Sequence, residues 1–219
     1  MYEKYHELLF QTSLFHGLTA EELNAVFAWQ HPVFRNYAKQ DYLFHVGDRA
    51  HSIGIVLKGS VTVLQEDFWG NRNIVTRIGP GNLFAEVYAV TREQRMGVSV
   101  MTDEGAEILY LDAHRLLCTS NEVLEMRLIR NLLATIADKN LTLNTKLSHL
   151  SQRSTREKLL SYLSEVSAAQ GSAEIEIPND RQQLADYLSV NRSALSKELS
   201  RLREEGLLRY QKNRFTLLE

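Results

Sequence analysis

The 219-residue sequence is poor in features that would place the protein outside a reducing, aqueous compartment. It contains a single cysteine, Cys118, so no disulfide can form within the chain, and a cysteine-ligated iron–sulfur cluster is excluded. No apolar run is long enough to cross a bilayer. Residues 1–5 show no basic region leading into an apolar stretch, which a signal peptide would need. We therefore expect a cytoplasmic protein with no membrane partner.

Signatures of catalysis are also missing. The chain has no Gly-x-Ser-x-Gly elbow, no phosphate-binding loop and no His-Glu-x-x-His helix. It contains seven histidines but no His-x-His pair, which a cupin-type metal site would need together with a carboxylate. We predict no enzyme activity, no metal and no cofactor. The alternative is a cupin-type ligand-binding or metal-dependent enzyme domain with an accessory helical domain, with His45 and His51 as its nearest candidate ligands.

Charge is unevenly distributed, although it nearly balances over the chain. The 25 basic and 27 acidic residues give a formal net charge of −2. Between residues 181 and 214, however, eight Lys and Arg residues occur with only four Asp and Glu residues. A basic segment of this kind indicates where an anionic partner binds, and a solvated helix face is the competing interpretation of the charge alone.

Short apolar runs predict an N-terminal β domain over residues 1–118. A capping box at Thr19-Ala20-Glu21-Glu22 opens a short helix, after which apolar residues alternate, as in Ile53-x-Ile55-x-Leu57. The runs are separated by turn signals: Gly47-Asp48, Lys58-Gly59, Trp69-Gly70-Asn71 and Gly79-Pro80-Gly81. Many short strands at this spacing predict a jelly roll or sandwich.

Residues 119–150 predict one long helix, because from about residue 121 the pattern is helical and no Gly or Pro interrupts it. Its apolar positions fall near a heptad seam: Ile129, Leu132, Ile136, Leu143 and Leu147. A helix of about 45 Å exceeds what a small domain needs for its own core, so we predict a parallel coiled coil with a second copy. Burial against its own domain is the alternative.

Residues 151–219 predict a winged helix-turn-helix. A second capping box, Ser154-Thr155-Arg156-Glu157, opens one helix, and a short strand follows around Ile175 and Ile177. Two helices are then joined by the tight connection Ser189-Val190-Asn191, with the small Ala185 where the helices cross. A hairpin with Lys212-Asn213 near its tip forms the wing.

The second helix of this motif carries the candidate DNA-binding residues. Side chains suited to base readout in the major groove lie in its first turns: Arg192, Ser193, Ser196 and Lys197. The remaining basic residues suit phosphate contacts, which position a protein without reading sequence: Arg181, Arg201, Arg209, Lys212 and Arg214. We predict sequence-specific binding of double-stranded DNA. A module that has lost DNA binding is a further alternative, against which Arg192 and Lys197 argue.

This order of elements resembles the family of the catabolite activator (cyclic-AMP receptor) protein and the fumarate–nitrate reductase regulator, the Crp/Fnr family. The resemblance covers nearly the whole chain and rests on Gly47-Asp48, Gly59-Ser60-Val61, residues 79–84 followed by Glu86, the long helix, and residues 184–192. It implies an α+β fold with a cyclic-nucleotide-binding-like jelly roll. It also implies a transcription regulator acting as a cytoplasmic homodimer on a roughly palindromic operator, with RNA polymerase as a partner.

The sequence departs from the family pattern at the ligand site. In nucleotide-binding members a Gly-Glu pair opens a phosphate-cradling helix and an Arg followed by Ser or Thr clamps the phosphate, whereas here the pairs are Ala85-Glu86 and Arg95-Met96. Losing Gly restricts close backbone approach, and Met supplies no hydroxyl. We expect a member that does not bind cyclic nucleotide and whose unknown effector would lie near Phe84, Glu86 and Arg95. Glu86 is either such a pocket residue or a buried hydrogen-bonding carboxylate.

Two further expectations follow from the resemblance. Ser193 stands where a glutamate is typical, so the preferred half-site should differ from that of the best-known members. Haem occurs in one branch of the family, but no histidine here has a signature spacing, and we predict none. A signal entering near residues 84–88 is expected to shift packing along the long helix and to re-aim the winged helices about a hinge at residues 151–154.

Overall fold

A computed structural model describes residues 3–66, 72–91, 94–118 and 123–218. They form two compact units, residues 1–138 and 139–219. The predicted turn at Trp69-Gly70-Asn71 and the predicted helix start at residues 121–122 lie outside the described residues. The predicted order of β roll, long helix and winged helix is confirmed.

The first unit is a β roll with short helices packed on one side. Its helices are α1 (His6–Gln11), α2 (Ala20–Gln30), α3 (Glu86–Val90), α4 (Ala113–Leu117) and the first part of α5 (Val123–Leu150), with 3-10 turns at Glu3–Tyr5 and Ser13–Phe15. Its strands are β1 (Val33–Tyr37), β2 (Tyr42–Phe44), β3 (Ser52–Lys58), β4 (Val61–Glu66), β5 (Arg72–Ile78), β6 (Leu83–Phe84), β7 (Ser99–Thr102) and β8 (Ala106–Asp112). They pair antiparallel into two sheets, β1-β8-β3-β6 and β2-β7-β4-β5.

Alternating residues on β8 divide the apolar core of this unit in two. Ala106 and Ile108 face the interior between the sheets, whereas Leu109 and Leu111 face the helices. The helical side is built from α1, α2 and α4 and includes Leu128 of α5. The central strands β3 and β8 are therefore buried on both faces, which explains the nearly continuous apolar run of β3.

The second unit is a winged helix-turn-helix. Its elements are α6 (Thr155–Gln170), β9 (Glu174–Glu176), α7 (Arg181–Tyr187), α8 (Arg192–Glu204), β10 (Leu208–Gln211) and β11 (Arg214–Leu217). The wing has three strands, β10-β11-β9, because Ile175 of β9 pairs with Phe215 of β11 and both side chains are buried. The predicted hairpin thus gains a third strand.

Capping boxes begin three of the helices. The two predicted boxes are confirmed: the Thr19 hydroxyl accepts from the Glu22 amide, whose side chain accepts from the Thr19 amide, and Ser154 and Glu157 do the same for α6. A third box, between Asp180 and Gln183, begins α7. A cap of this kind stabilises a helix start by about 1 kcal/mol, so the first helix of the DNA-binding motif has a fixed beginning.

Two apolar faces run along α5. Leu128 and Leu132 are buried in the core of the first unit, and Leu132 is only 2% exposed. Leu132 is therefore not available to a second copy, contrary to the expectation from the sequence, because it lies one residue off the open face. No helix of the described segments is long and apolar enough to span a membrane.

Candidate nucleic-acid interface

The turn between α7 and α8 is tight and depends on one left-handed residue. Ser189 has φ +50°, a conformation that costs most side chains about 1–2 kcal/mol. The amide of Val190 then donates to the carbonyl of Ala185 at 2.9 Å. Ala185 is fully buried in the core shared by the two helices, where a larger side chain would separate them.

Helix α8 is amphipathic, and its polar face carries all four predicted base-reading residues. Asn191 caps the helix by accepting from the Ser193 amide at 2.8 Å, and three leucines of its inner face have no solvent exposure: Leu195, Leu199 and Leu202. The opposite face of the first turns is exposed, and it presents Arg192, Ser193, Ser196 and Lys197. Burial of the leucine face therefore fixes which residues point outward.

These exposed side chains differ in how free they are. Arg192, Ser196 and Lys197 make no side-chain hydrogen bond or ion pair with any residue in the described ranges. The hydroxyl of Ser193 donates to Oδ1 of Asn191 at 2.7 Å and can then only accept. Free Arg and Lys donors match the acceptor edge of guanine.

Arg181, predicted to contact phosphate, is the first residue of α7, and its side chain packs against the wing. Its guanidinium lies over the rings of Tyr210 and Phe215, 5.0 and 5.3 Å from their centroids, and donates to the carbonyl of Lys212 at 3.0 Å. Burial lowers the pKa of Arg181. Stacking and desolvation of this kind hold an arginine in place, and a phosphate contact of Arg181 stays a prediction.

The other predicted phosphate contacts lie on the surface. Arg201 is 3.6 Å from a carboxylate oxygen of Glu198, and Arg214 is 3.3 Å from one of Glu176. The Arg214 pair is exposed on both sides, and such a pair contributes about 0–1 kcal/mol, whereas Arg201 is exposed but Glu198 is mostly covered. The Arg209 and Lys212 side chains are exposed and have no partner among the described residues.

Arg156, which sequence reasoning missed, ties α8 to α6. Its guanidinium makes a two-point contact with the carboxylate of Glu205, one of the distances being 2.9 Å, and lies 3.5 Å from Glu198. The hydrogen bonds from Arg156 lower the pKa of Glu205. Arg156 lies more than 40 residues before Glu198 and Glu205 in the sequence, so no local pattern predicts that they meet in the folded unit.

The open face of α5 keeps the heptad pattern through the 28 residues of the helix, which correspond to four heptads. Met126, Leu133 and Leu147 are exposed at spacings of seven, with Asn140 in the same register, and Leu133 is 62% exposed. The second row, three residues further on in each heptad, is Ile129, Ile136, Leu143 and Leu150, of which Ile136 is partly covered by the core of the first unit. Met126 and Leu133 thus lie on the open face of α5, whereas Leu132, which the sequence placed on the predicted seam, is buried in the first unit.

The predicted effector residues do not line an open pocket in the roll. Phe84 is buried in the interior between the sheets, with its ring against Gly54, and Glu86 is also buried. Ala85 keeps the left-handed conformation that favours glycine, with φ +59°. The interior at this point is occupied by protein side chains.

Arg95 and Met96 occupy opposite environments. Arg95 is exposed and donates to the carbonyl of Gly47 at 2.8 Å, whereas Met96 is buried in the roll interior. A cleft of about 490 Å³ lies elsewhere on this unit, with Arg49, His51, Val90, Gln94, His114 and Cys118 in its lining. The three predicted effector residues are thus not brought together on one open surface.

Two family models match the chain in separate segments. Residues 34–118 match the cyclic nucleotide-binding domain, and residues 157–219 match the Crp-like helix-turn-helix domain. The two segments coincide with the roll and with the winged helix.

Relatives match over most of the length. The cyclic AMP receptor protein of Thermus thermophilus is 26% identical over 90% of this chain and 88% of its own. The cAMP-activated global transcriptional regulator Vfr of Pseudomonas aeruginosa is 25% identical over 80% of this chain and 84% of its own. The solved catabolite activator protein of Thermus thermophilus has a TM-score of 0.56 and 25% identity, over 95% of this chain and 94% of that one.

Proposed function

Because this chain belongs to the Crp/Fnr family of DNA-binding transcription regulators, we propose that it binds a two-fold symmetric operator as a homodimer. The observation that carries the proposal is the exposed face of α8, where Arg192 and Lys197 have no partner in the described part of the chain. Exposed Arg and Lys donors in the first turns of a recognition helix are suited to contacts in a major groove. RNA polymerase contact and a cytoplasmic location stay predictions.

Base readout is assigned to the first two turns of α8. Arg192 reads guanine through paired donors, Lys197 reads guanine or a phosphate, and Ser196 can donate or accept. Ser193 contributes an acceptor only, since Asn191 holds its hydrogen. A hydroxyl acceptor in place of a carboxylate changes the base preferred at that step of the half-site.

Phosphate contacts are assigned to the wing and to the far end of α8. Arg209 and Lys212 are free and exposed, while Arg201 and Arg214 can exchange weak surface ion pairs for phosphate oxygens. Arg181 supports these contacts by packing its guanidinium against the rings of the wing. It can contact DNA only through the N–H groups that do not bond the Lys212 carbonyl.

The second copy is assigned to the open face of α5. Over its 28 residues the helix extends roughly 42 Å and leaves a narrow apolar stripe in solvent. A stripe with this repeat is what a parallel coiled coil buries, and Asn140 inside it favours a single register. Pairing there would provide two recognition helices for two half-sites about one DNA turn apart.

The roll is proposed as a sensor that does not take cyclic nucleotide in the family manner. Met96 fills the interior where a hydroxyl would be needed, and Arg95 is turned to the Gly47 carbonyl. A second candidate, cyclic-AMP sensing, is favoured by the names of both relatives. Calorimetric titration with cyclic AMP and cyclic GMP separates the two.

The test of the main proposal is selection of bound sites from a random duplex pool. Wild type is run beside Arg192→Ala and beside Arg35→Ala, an exposed arginine of the first unit. We expect a two-fold symmetric site from wild type and Arg35→Ala. The half-site guanine preference should weaken in Arg192→Ala by about 1–3 kcal/mol.

No enrichment at low salt, with and without cell extract to supply an effector, would contradict the proposal. Selection of an asymmetric site would support DNA binding but would contradict binding as a homodimer. A salt series on the selected site distinguishes a true DNA complex, whose affinity falls steeply as salt rises, from weak adsorption.

A further inference from the structure

A buried histidine holds the last turn of α5. His149 is 2% exposed, Nδ1 lies 2.9 Å from Oγ of Ser161, and Nε2 lies 2.8 Å from Oε2 of Glu165. A carboxylate can only accept, so Nε2 carries a hydrogen and donates to Glu165, while Nδ1 shares a hydrogen bond with the Ser161 hydroxyl. Both ring nitrogens are satisfied by α6, the next helix along the chain.

The same ring also reaches the helix-turn-helix motif. It packs against Tyr162 of α6 and Tyr187 of α7, at centroid distances of 5.8 and 6.2 Å, and these two tyrosines lie 5.3 Å apart. Lys146, one turn earlier on α5, lies 5.3 Å over the Tyr187 ring. Burial raises the pKa of Tyr162 to about 12, so its hydroxyl stays neutral. Three helices therefore meet at one imidazole.

The side-chain contacts that join the end of α5 to the rest of this unit include those of His149 and the contact of Lys146 with the Tyr187 ring. Only residues 151–154 separate α5 from α6, and in this turn the Ser151 amide donates to the Leu147 carbonyl at 2.9 Å and the Gln152 amide donates to the His149 carbonyl at 3.3 Å. A purely apolar side chain at position 149 could fill the space but could rotate, whereas paired hydrogen bonds on opposite sides of a planar ring define one orientation. The predicted hinge at these residues is therefore spanned by a directional contact.

We propose that His149 is a positioning residue for DNA binding: with Ser161, Glu165 and the Tyr162–Tyr187 pair it fixes the direction in which α5 leaves the DNA-reading unit. In a homodimer paired through α5, that direction sets the separation of the two recognition helices. This inference rests on the proposed function. His149 touches no DNA and acts only through the angle that it holds.

The experiment measures how strictly the dimer requires one half-site separation. Wild type, His149→Leu, His149→Gln and the control His114→Leu, an exposed histidine of α4, are titrated against selected half-sites joined by spacers of increasing length. A single half-site serves as reference, and thermal melting reports folding. Wild type and the control should prefer one spacer over a spacer changed by half a helical turn.

In His149→Leu this discrimination should fall by about tenfold, the value of a hydrogen bond to a charged group, with the single half-site bound as before. His149→Gln keeps a donor towards Glu165 and should restore most of the discrimination. Equal discrimination in wild type and His149→Leu would overturn the proposal. So would a uniform loss at every spacer and at the single half-site, which is the mark of a packing role.

Should His149→Leu fail to fold, Glu165→Gln carries the test, since it removes the charged acceptor from a half-exposed position without changing size. It should relax the spacing requirement, and an unchanged requirement would overturn the proposal. Wild type that binds no DNA at all would remove the proposed function and this inference together, an outcome distinct from those above.

Discussion

The ring of Phe84 lies directly against the backbone of Gly54, in the space that a side chain at that position would take. Phe44 and Tyr110 flank the ring edge-to-face, at 6.4 and 6.2 Å between centroids. Gly54 is paired on both sides, to Phe84 of β6 and to Tyr110 of β8. The absent side chain at residue 54 is thus what lets the roll close over a phenylalanine.

Gly54→Ala should therefore destabilise the first unit by about 1–3 kcal/mol, as overpacking of a close-packed interior does. Urea or thermal denaturation measures the change. Gly79→Ala is the matched control, because a Cβ there meets nothing within 4 Å and the backbone is not left-handed. Equal stability of the two variants would show that the ring is free to move.

Substitutions on the two faces of α5 should separate association from folding. Leu133→Glu and Leu147→Glu place charge on the open seam and should weaken the dimer without unfolding the monomer. Leu132→Ala should cost the first unit about 2–5 kcal/mol and leave association intact. Sedimentation velocity and thermal melting distinguish the two effects, and loss of the dimer in Leu132→Ala alone would reverse the assignment of faces.

Asn140→Leu should tighten association while relaxing its register. A polar residue in an otherwise apolar seam reduces coiled-coil stability and specifies one alignment. Sedimentation equilibrium measures the affinity, and disulfide trapping between single cysteines placed along the seam reports the alignment. Association unchanged by the substitution would exclude Asn140 from the interface.

The salt dependence of DNA affinity should distinguish wing residues by their contacts. Lys212→Ala should lower the slope of log affinity against log salt by about 1 per protomer, since one phosphate contact is lost. Arg181→Ala should change the slope less and the melting temperature more, because its guanidinium packs on Tyr210 and Phe215. Lys39→Ala, exposed on the first unit, should change neither.

Acid should release the N-terminal turn from β8. Hydrogen bonds from Tyr5 and Lys4 hold the pKa of Glu107 below its ordinary value of 4.5. The sign follows from a folded-state pKa lower than the unfolded one: stabilisation is complete above about pH 4.5 and is lost as pH falls through the lowered value. Glu107→Gln should be less stable at neutral pH and lose less on acidification.

Melting temperature measured from pH 7 down to about pH 3 tests this, with Glu104→Gln as an exposed carboxylate control. Parallel curves for wild type and Glu107→Gln would mean that the contact does not stabilise the folded state.

The sequence revealed most of what is local. The boxes at Thr19 and Ser154 and the apolar face of α8 depend on residues three or four apart, so their pattern predicts them directly. The choice between Leu132 and Leu133 was not local. Both stripes of α5 are apolar, and only the folded first unit decides which one it covers.

Roles that depend on distant partners were likewise hidden. Arg181 and Lys212 are both basic residues near the wing, yet only one is stacked on rings brought in by β10 and β11. His149 looked like an unremarkable histidine at a helix end, because Ser161, Glu165 and Tyr187 reach it only through the packing of α6 and α7.

Helix α5 contributes side chains to both compact units, and this determines where recombination could exchange whole domains between such regulators. Its early turns supply Leu128 and Leu132 to one core, and its last turn supplies His149 to the other. A chimera joined at either end of the helix would separate one core from its own side chains. A crossover between Asp138 and Lys139, where the two compact units divide, transfers each core whole and leaves the helix unbroken.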